Sequence, residues 1–237
     1  MTASQTRTLF SARNATLTLT AAALVALAAC SSGPGDRAGS PRDAGLTVEA
    51  GFTPAVSAEA AEDTAINTGD RAPAFELRDT AGRPVSLDGL LDDGPVVLTW
   101  YRGGWCPYCT ESLAEFERDA GAITAAGATL VAISPETATN ARSTKGERGL
   151  GFTLLSDPGN RVAGDFGLVF SLSERTRDRY RGFGIDLAAA NGDDSWTLPL
   201  AATYVIDTDG RVAWAFVTDD YTERPDPPRV LEALRRL

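Results

Sequence analysis

The chain has 237 residues, with 32 acidic side chains against 22 basic ones, three cysteines and no histidine. A net charge of −10 and a sequence pI near 4.6 argue against nucleic acid or a polybasic membrane contact as partners. Without histidine, three cysteines cannot complete a structural zinc site, which needs four nitrogen or sulfur ligands.

In chain order, Arg7 and Arg13 give a positive, acid-free start, and residues 15–29 are dominated by Ala, Leu and Thr. Residues 1–29 therefore read as a secretory signal peptide, too short and weakly apolar for a stable membrane span. The segment ends in Leu27-Ala28-Ala29-Cys30, which resembles the bacterial lipobox. The resemblance implies that Cys30 becomes the lipidated first residue of the mature protein. Cleavage at Ala26-Leu27-Ala28, with Cys30 left as an incidental thiol, is the alternative. Two acyl chains anchor a protein stably where one does not, at about 0.8 kcal/mol per buried CH₂. The expected location is extracytoplasmic, as a membrane-anchored bacterial lipoprotein that meets the membrane through its lipid only. Residues 30–68 are rich in Ala, Gly, Ser, Pro and Glu, with Phe52 as the only aromatic, and read as the lipidated Cys and a flexible tether. Residues 69–237 suffice for one compact domain with a real core.

Within that domain, Phe75-Glu76-Leu77 reads as a strand and Gly82 to Leu87 as a turn into a second one. Residues 95–101, Pro-Val-Val-Leu-Thr-Trp-Tyr, are β-branched and aromatic and predict a buried strand. From Pro107 through Glu111, Leu113, Phe116 and Ile123, apolar residues recur at helical spacing, with acids in the first turn. Ala128 to Ile133 predicts the next buried strand, Thr137 to Glu147 a polar helix, and Phe152 to Leu155 a further strand. The turn Ser156-Asp157-Pro158-Gly159 follows, then a short helix from Arg161 to Phe166. Residues 171–194 hold no clean period and are expected to cover one edge of the fold. Thr203 to Ile206 and Val212 to Val217 flank Asp207-Thr208-Asp209-Gly210, whose Asp-Gly favours the positive φ of a hairpin turn. A last helix starts at Pro227 or Pro228 and runs through Val230, Leu231 and Leu234. This alternation with a terminal hairpin predicts an α/β fold, a central mixed sheet flanked by helices on both faces.

Cys106-Pro107-Tyr108-Cys109 sits where a strand hands over to a helix. Pro107 suits the first helical position, where a missing N–H costs nothing. Free amides and the positive helix end stabilise a thiolate, so a cysteine here is expected to titrate below its free value of about 8.5. A structural disulfide closing so short a loop would add little stability, and the pair reads as redox-active. Trp105 suits either shielding of a reactive thiol or plain packing. Trp100 and Tyr101 read as core, and Tyr108 as a partner contact or a solvated ring. Glu111 reads as a dipole-favoured acid or a proton shuttle beside the thiols. With no imidazole in the chain, activation falls to the helix dipole, arginine and carboxylates.

Several segments carry a family resemblance. Ala72-Pro73-Ala74-Phe75, Val96 to Tyr101, Ser156 to Ala163, and Ala202 to Asp207 with Asp209-Gly210 resemble the alkyl hydroperoxide reductase and thiol-specific antioxidant family, the peroxiredoxins. The segment Tyr101 to Cys109 is similar to a peroxiredoxin-like subgroup in which CxxC replaces the usual motif. The resemblance implies a thioredoxin-like fold, and it implies no cofactor and no metal. A typical member has Pro, three residues, Thr, two residues, then the peroxidatic Cys. Laid on this chain, that motif puts Cys109 at the peroxidatic place, Cys106 at the Thr place and Arg102 at the Pro place. The arginine that the family carries just before a late strand corresponds to Ala201, and Arg102 is the candidate to supply its charge from the other side.

Two mechanisms follow. In a thiol-dependent peroxidase, Cys109 attacks a hydroperoxide to give a sulfenic acid and Cys106 condenses with it to a disulfide. An external dithiol such as a thioredoxin-like protein then reduces the pair. In a thioredoxin-like thiol–disulfide oxidoreductase, Cys106 attacks a protein disulfide and Cys109 resolves the mixed disulfide.

Overall fold

The computed structural model describes residues 56–237. The signal segment, Cys30 and the tether up to residue 55 lie outside the described residues. The first element, α1 (Ala58–Thr64), is capped by the Ser57 hydroxyl, which accepts the Ala60 N–H. Ala58 and Ala61 are buried against the main core, so the end of the stretch expected to be tether is packed helix. Small side chains spaced along one helical face make a packing surface, yet in sequence they are indistinguishable from an alanine-rich linker.

The central sheet has seven strands in the order β2-β1-β5-β4-β3-β8-β9. They are β1 (Glu76–Asp79), β2 (Pro84–Ser86), β3 (Val96–Trp100), β4 (Thr129–Ser134), β5 (Thr153–Ser156), β8 (Ala201–Ile206) and β9 (Val212–Thr218). β3 runs parallel to β4 and antiparallel to β8, with Val96 opposite Thr129 on one side and Ile206 on the other. β4 and β5 are parallel, and the outer pairs are antiparallel, so the sheet is mixed as expected. All five residues of β3 and all six of β8 are buried. That is why both read as continuous apolar runs rather than alternating ones.

The pleat sends alternate side chains into two cores. Val96, Leu98, Trp100, Tyr204 and Ile206 face one side, where they meet α1, Phe166 and Leu168. Val97 and Val205 face the other, packed on Phe116 and Ile123 of α3 (Pro107–Ala125) and on Val230 and Leu234 of α8 (Pro227–Leu234). Helices thus cover both faces. α2 (Leu87–Leu91), α4 (Ala138–Arg148) and α5 (Arg161–Asp165) complete the connections.

The stretch without a clean period holds regular structure. β6 (Val169–Ser171) pairs antiparallel with β7 (Thr197–Pro199), and between them lie α6 (Glu174–Gly182) and α7 (Leu187–Asn191). In α6 only Thr176 is buried, and two i,i+3 ion pairs, Arg177–Glu174 at 2.9 Å and Arg181–Asp178 at 2.8 Å, line its exposed side. A helix built from charges leaves no apolar stripe to read. Among the described residues, no helix is long and apolar enough to cross a membrane.

Candidate active site

β3 brings the chain to the site. Tyr101 N–H donates to the Ile133 carbonyl at 3.0 Å, and the backbone then leaves the sheet through Arg102 to Trp105. Gly103 holds a φ of 151°, and a Cβ there would strike the Trp105 ring. A Cβ on Gly104 would strike the Thr144 hydroxyl, so only glycine fits either place. Behind this loop the buried Glu136 carboxylate accepts from Gly104 N–H at 2.9 Å and from the Thr144 hydroxyl at 3.3 Å. Burial pushes the Glu136 pKa up, although these donors pull the other way. Cys106 N–H closes onto the Gly103 carbonyl at 3.1 Å, and Cys106 becomes the N-cap of α3 with Pro107 behind it.

Both cysteines are free and buried, with their sulfurs 2.6 Å apart. A disulfide needs about 2.05 Å, so little movement separates the reduced and oxidised forms. Nη2 of Arg224 lies 3.2 Å from the Cys109 sulfur. The Cys106 sulfur accepts the Cys109 N–H at 3.4 Å and has Nη2 of Arg102 at 3.8 Å.

Either sulfur can carry the shared hydrogen, and the surrounding charges decide which does. Burial alone pushes the Cys109 thiol up. Donation from Cys106, the charges of Arg224 and Arg102, and the Arg102 backbone more than reverse this and hold Cys109 well below the usual thiol range. Cys106 moves the other way, because it is bonded to Cys109, desolvated, and set against the Cys109 charge. These surroundings favour a Cys109 thiolate that accepts from the Cys106 S–H. The lowered cysteine expected at this helix start is the one inside the first turn, while the N-cap sulfur keeps its proton.

Arg102 is buried. Its Nη1 donates to the Tyr180 hydroxyl at 3.3 Å, and its guanidinium lies over the Tyr221 ring at 4.5 Å. Its Nε has no partner among the described residues, which leaves one charged donor unused. A cavity of about 540 Å³ opens onto this group, walled by Trp105, Tyr108, Tyr180, Phe183 and Tyr221 with Arg102 and Cys106. Cys109 has no exposed surface and lies behind the cavity wall, in contact with Cys106 at 2.6 Å.

The structure brings together Cys106, Cys109, Arg102, Trp105 and Tyr108, as the motif leads one to expect. Trp100 and Tyr101 are core, and Tyr108 is half-exposed with its edge on Tyr221 at 5.6 Å. Glu111 departs from the expectation. It falls at the fifth helical position, outside the first turn, and is exposed, so it is no shuttle beside the thiols. Ala201 is buried in β8. The second cation comes instead from Arg224, between β9 and α8, which the sequence did not single out. Tyr180, Tyr221 and Glu136 were likewise unmarked, since each reaches the site only through tertiary packing.

A paired-thiol site at a strand-to-helix junction, on a mixed sheet covered on both faces, defines a protein of thioredoxin-like fold. The profile of the AhpC/TSA family matches residues 68–215, and the chain belongs to that family. It is 33% identical over 151 residues to chloroplastic peroxiredoxin Q of Oryza sativa subsp. japonica, over 64% of this chain and 59% of that protein. The chain thus spans less than two thirds of that relative's length. The crystal structure of peroxidoxin BcpB from Mycobacterium tuberculosis matches with a TM-score of 0.59 at 28% identity, over 73% of this chain and 98% of that one. A yeast mitochondrial 1-Cys peroxiredoxin, at 17% identity and a TM-score of 0.55 over 72% of this chain and 75% of that one, shares the fold.

Proposed function

We propose that this chain is a thiol-dependent peroxidase that reduces hydroperoxides through Cys109 and Cys106. The observation that carries this reading is the Cys109 sulfur, 3.2 Å from Arg224 and 2.6 Å from the Cys106 sulfur. A buried thiolate flanked by a cation is a nucleophile kept ready at neutral pH. Cys109 attacks the O–O bond and takes one oxygen as a sulfenic acid while the other leaves as an alcohol or water. Cys106 then displaces that hydroxyl to form the disulfide. An external dithiol of the thioredoxin kind restores both thiols. The Arg102 guanidinium, beside Cys106 in the cavity wall, supplies positive charge for the peroxide oxygens, and the Arg224 charge does the work that the family assigns to the position of Ala201.

One observation favours a second reading. The sulfur in the cavity wall is Cys106, as a thioredoxin-like thiol–disulfide oxidoreductase requires. Turnover of hydrogen peroxide and of an organic hydroperoxide with a dithiol, beside an insulin-disulfide reduction assay, separates the two. Peroxide turnover with weak insulin reduction supports the peroxidase, and the reverse pattern replaces it. The leader ending at Cys30 supports a lipid anchor and an extracytoplasmic location for either activity.

A further inference from the structure

We propose that Cys106 is the general acid of the peroxide step as well as the resolving nucleophile, handing its own proton to the oxygen that leaves as Cys109 is oxidised. The proposal rests on the peroxidase reading. A peroxide that reaches Cys109 has to come from the cavity side, where Cys106 forms the wall. The Cys106 sulfur, in that wall and 2.6 Å from the Cys109 sulfur, is within reach of the leaving oxygen. Other acids are poorly placed. The chain has no histidine, Glu111 is exposed, and both Glu136 oxygens are held by Gly104 and Thr144. The wall also holds the phenols Tyr108, Tyr180 and Tyr221 and the carboxyls of Glu59, Asp219 and Asp220; among them Tyr180 has its hydroxyl bound to Arg102, beside Cys106.

The pair also times the transfer. While Cys109 is a thiolate, its charge and its bond to the Cys106 hydrogen hold that proton in place. Attack on the peroxide turns Cys109 into a neutral sulfenic acid and removes both restraints. What remains at Cys106 is the Cys109 N–H at 3.4 Å and the Arg102 guanidinium at 3.8 Å, and both favour a thiolate. The proton comes free as the leaving alkoxide needs it. In balance, Cys109–S⁻ + ROOH + Cys106–SH gives Cys109–SOH + ROH + Cys106–S⁻. The new Cys106 thiolate then displaces hydroxide from Cys109–SOH, and that hydroxide leaves to solvent, where it takes one proton per turnover from a buffer acid to become water. A threonine hydroxyl at this position, as the family motif has it, holds its proton too tightly to do the same.

The test compares single-turnover oxidation of Cys109 in the full chain by tert-butyl hydroperoxide and by peracetic acid. Tert-butoxide needs a proton as it leaves; acetate does not. Loss of a general acid costs about 100-fold or more. Cys106→Ala is therefore expected to raise the ratio of the peracetic acid rate to the tert-butyl hydroperoxide rate by about 100-fold. Cys106→Ser, which keeps a good N-cap and secures the test if the alanine variant is poorly folded, is expected to raise it by at least about tenfold. An unaltered ratio in both variants, with the two rates falling together, would mean that Cys106 only positions the site and would overturn the proposal. So would the same change of ratio in Tyr180→Phe with none at Cys106. A wild-type Cys109 no faster with either oxidant than free cysteine at equal thiolate fraction would instead remove the peroxidase reading beneath it.

Discussion

At the scale of residues, donation from Cys106 and the guanidinium charges of Arg224 and Arg102 together put the charge on Cys109. Arg224 donates to the Cys109 sulfur and to carbonyls of its own loop, at Tyr221 and Glu223. A hydrogen bond to a charged group contributes about 1.5–3 kcal/mol. Arg224→Ala should therefore cut the thiolate population of Cys109, and the peroxide rate at mildly acid pH, by about tenfold or more. Ultraviolet thiolate absorbance against pH measures the first and stopped-flow oxidation the second; an unchanged titration would contradict the assignment. The two thiols also link stability to pH with opposite signs. An unfolded cysteine titrates near 8.5. The depressed Cys109 pKa means that the unfolded chain binds more protons below that value, so stability rises with pH up to about 8.5. The raised Cys106 pKa means that the folded chain binds more protons above it, so stability then falls. The difference in denaturation free energy between wild type and the Cys106→Ser/Cys109→Ser variant should peak near pH 8.5, and a monotonic difference would contradict the opposed shifts.

At the scale of elements, the site is a junction held from behind. Glu136, just after β4, and Thr144 of α4 clamp the Gly103-Gly104 loop, so the position of the thiols depends on three separate segments. Gly104→Ala has no room beside Thr144 and should destabilise the fold by about 1–3 kcal/mol in chemical denaturation. A stability within about 0.5 kcal/mol of wild type would show the clamp to be loose. The same elements show what sequence reveals. β3, α3 and the β8–β9 hairpin were legible because burial, helical period and an Asp-Gly turn are local signals. So was the place of the CxxC pair. α6 was not, because it carries ion pairs where a readable helix carries a stripe. α1 was not, because alanine packs without looking apolar enough. Arg224 was illegible for a different reason: nothing local distinguishes an arginine among the acids of residues 219–226 from a solvated one. Only the fold returns that loop to the start of α3.

At the scale of the whole molecule, the sheet divides the core in two, and the thiols stand beyond the end of β3, beside a cavity that the α6 region and the loop after β9 help to wall. Ser57 and Glu59, at the start of α1, contribute to the lining of that cavity. If Cys30 carries the lipid, the Cys30→Ser protein should leave the membrane fraction for the soluble one, and unaltered partition would end the lipoprotein proposal. The central claim is that Cys109 attacks peroxide and Cys106 follows. The most direct measurement is single-turnover oxidation of full-chain Cys106→Ser by hydrogen peroxide, with the oxidised residue identified by trapping and peptide mass mapping. The account predicts a sulfenic acid on Cys109, formed faster than on free cysteine at equal thiolate fraction, and no fast phase in Cys109→Ser. An inert Cys106→Ser protein, together with mixed disulfides trapped through Cys106 in Cys109→Ser, would contradict it.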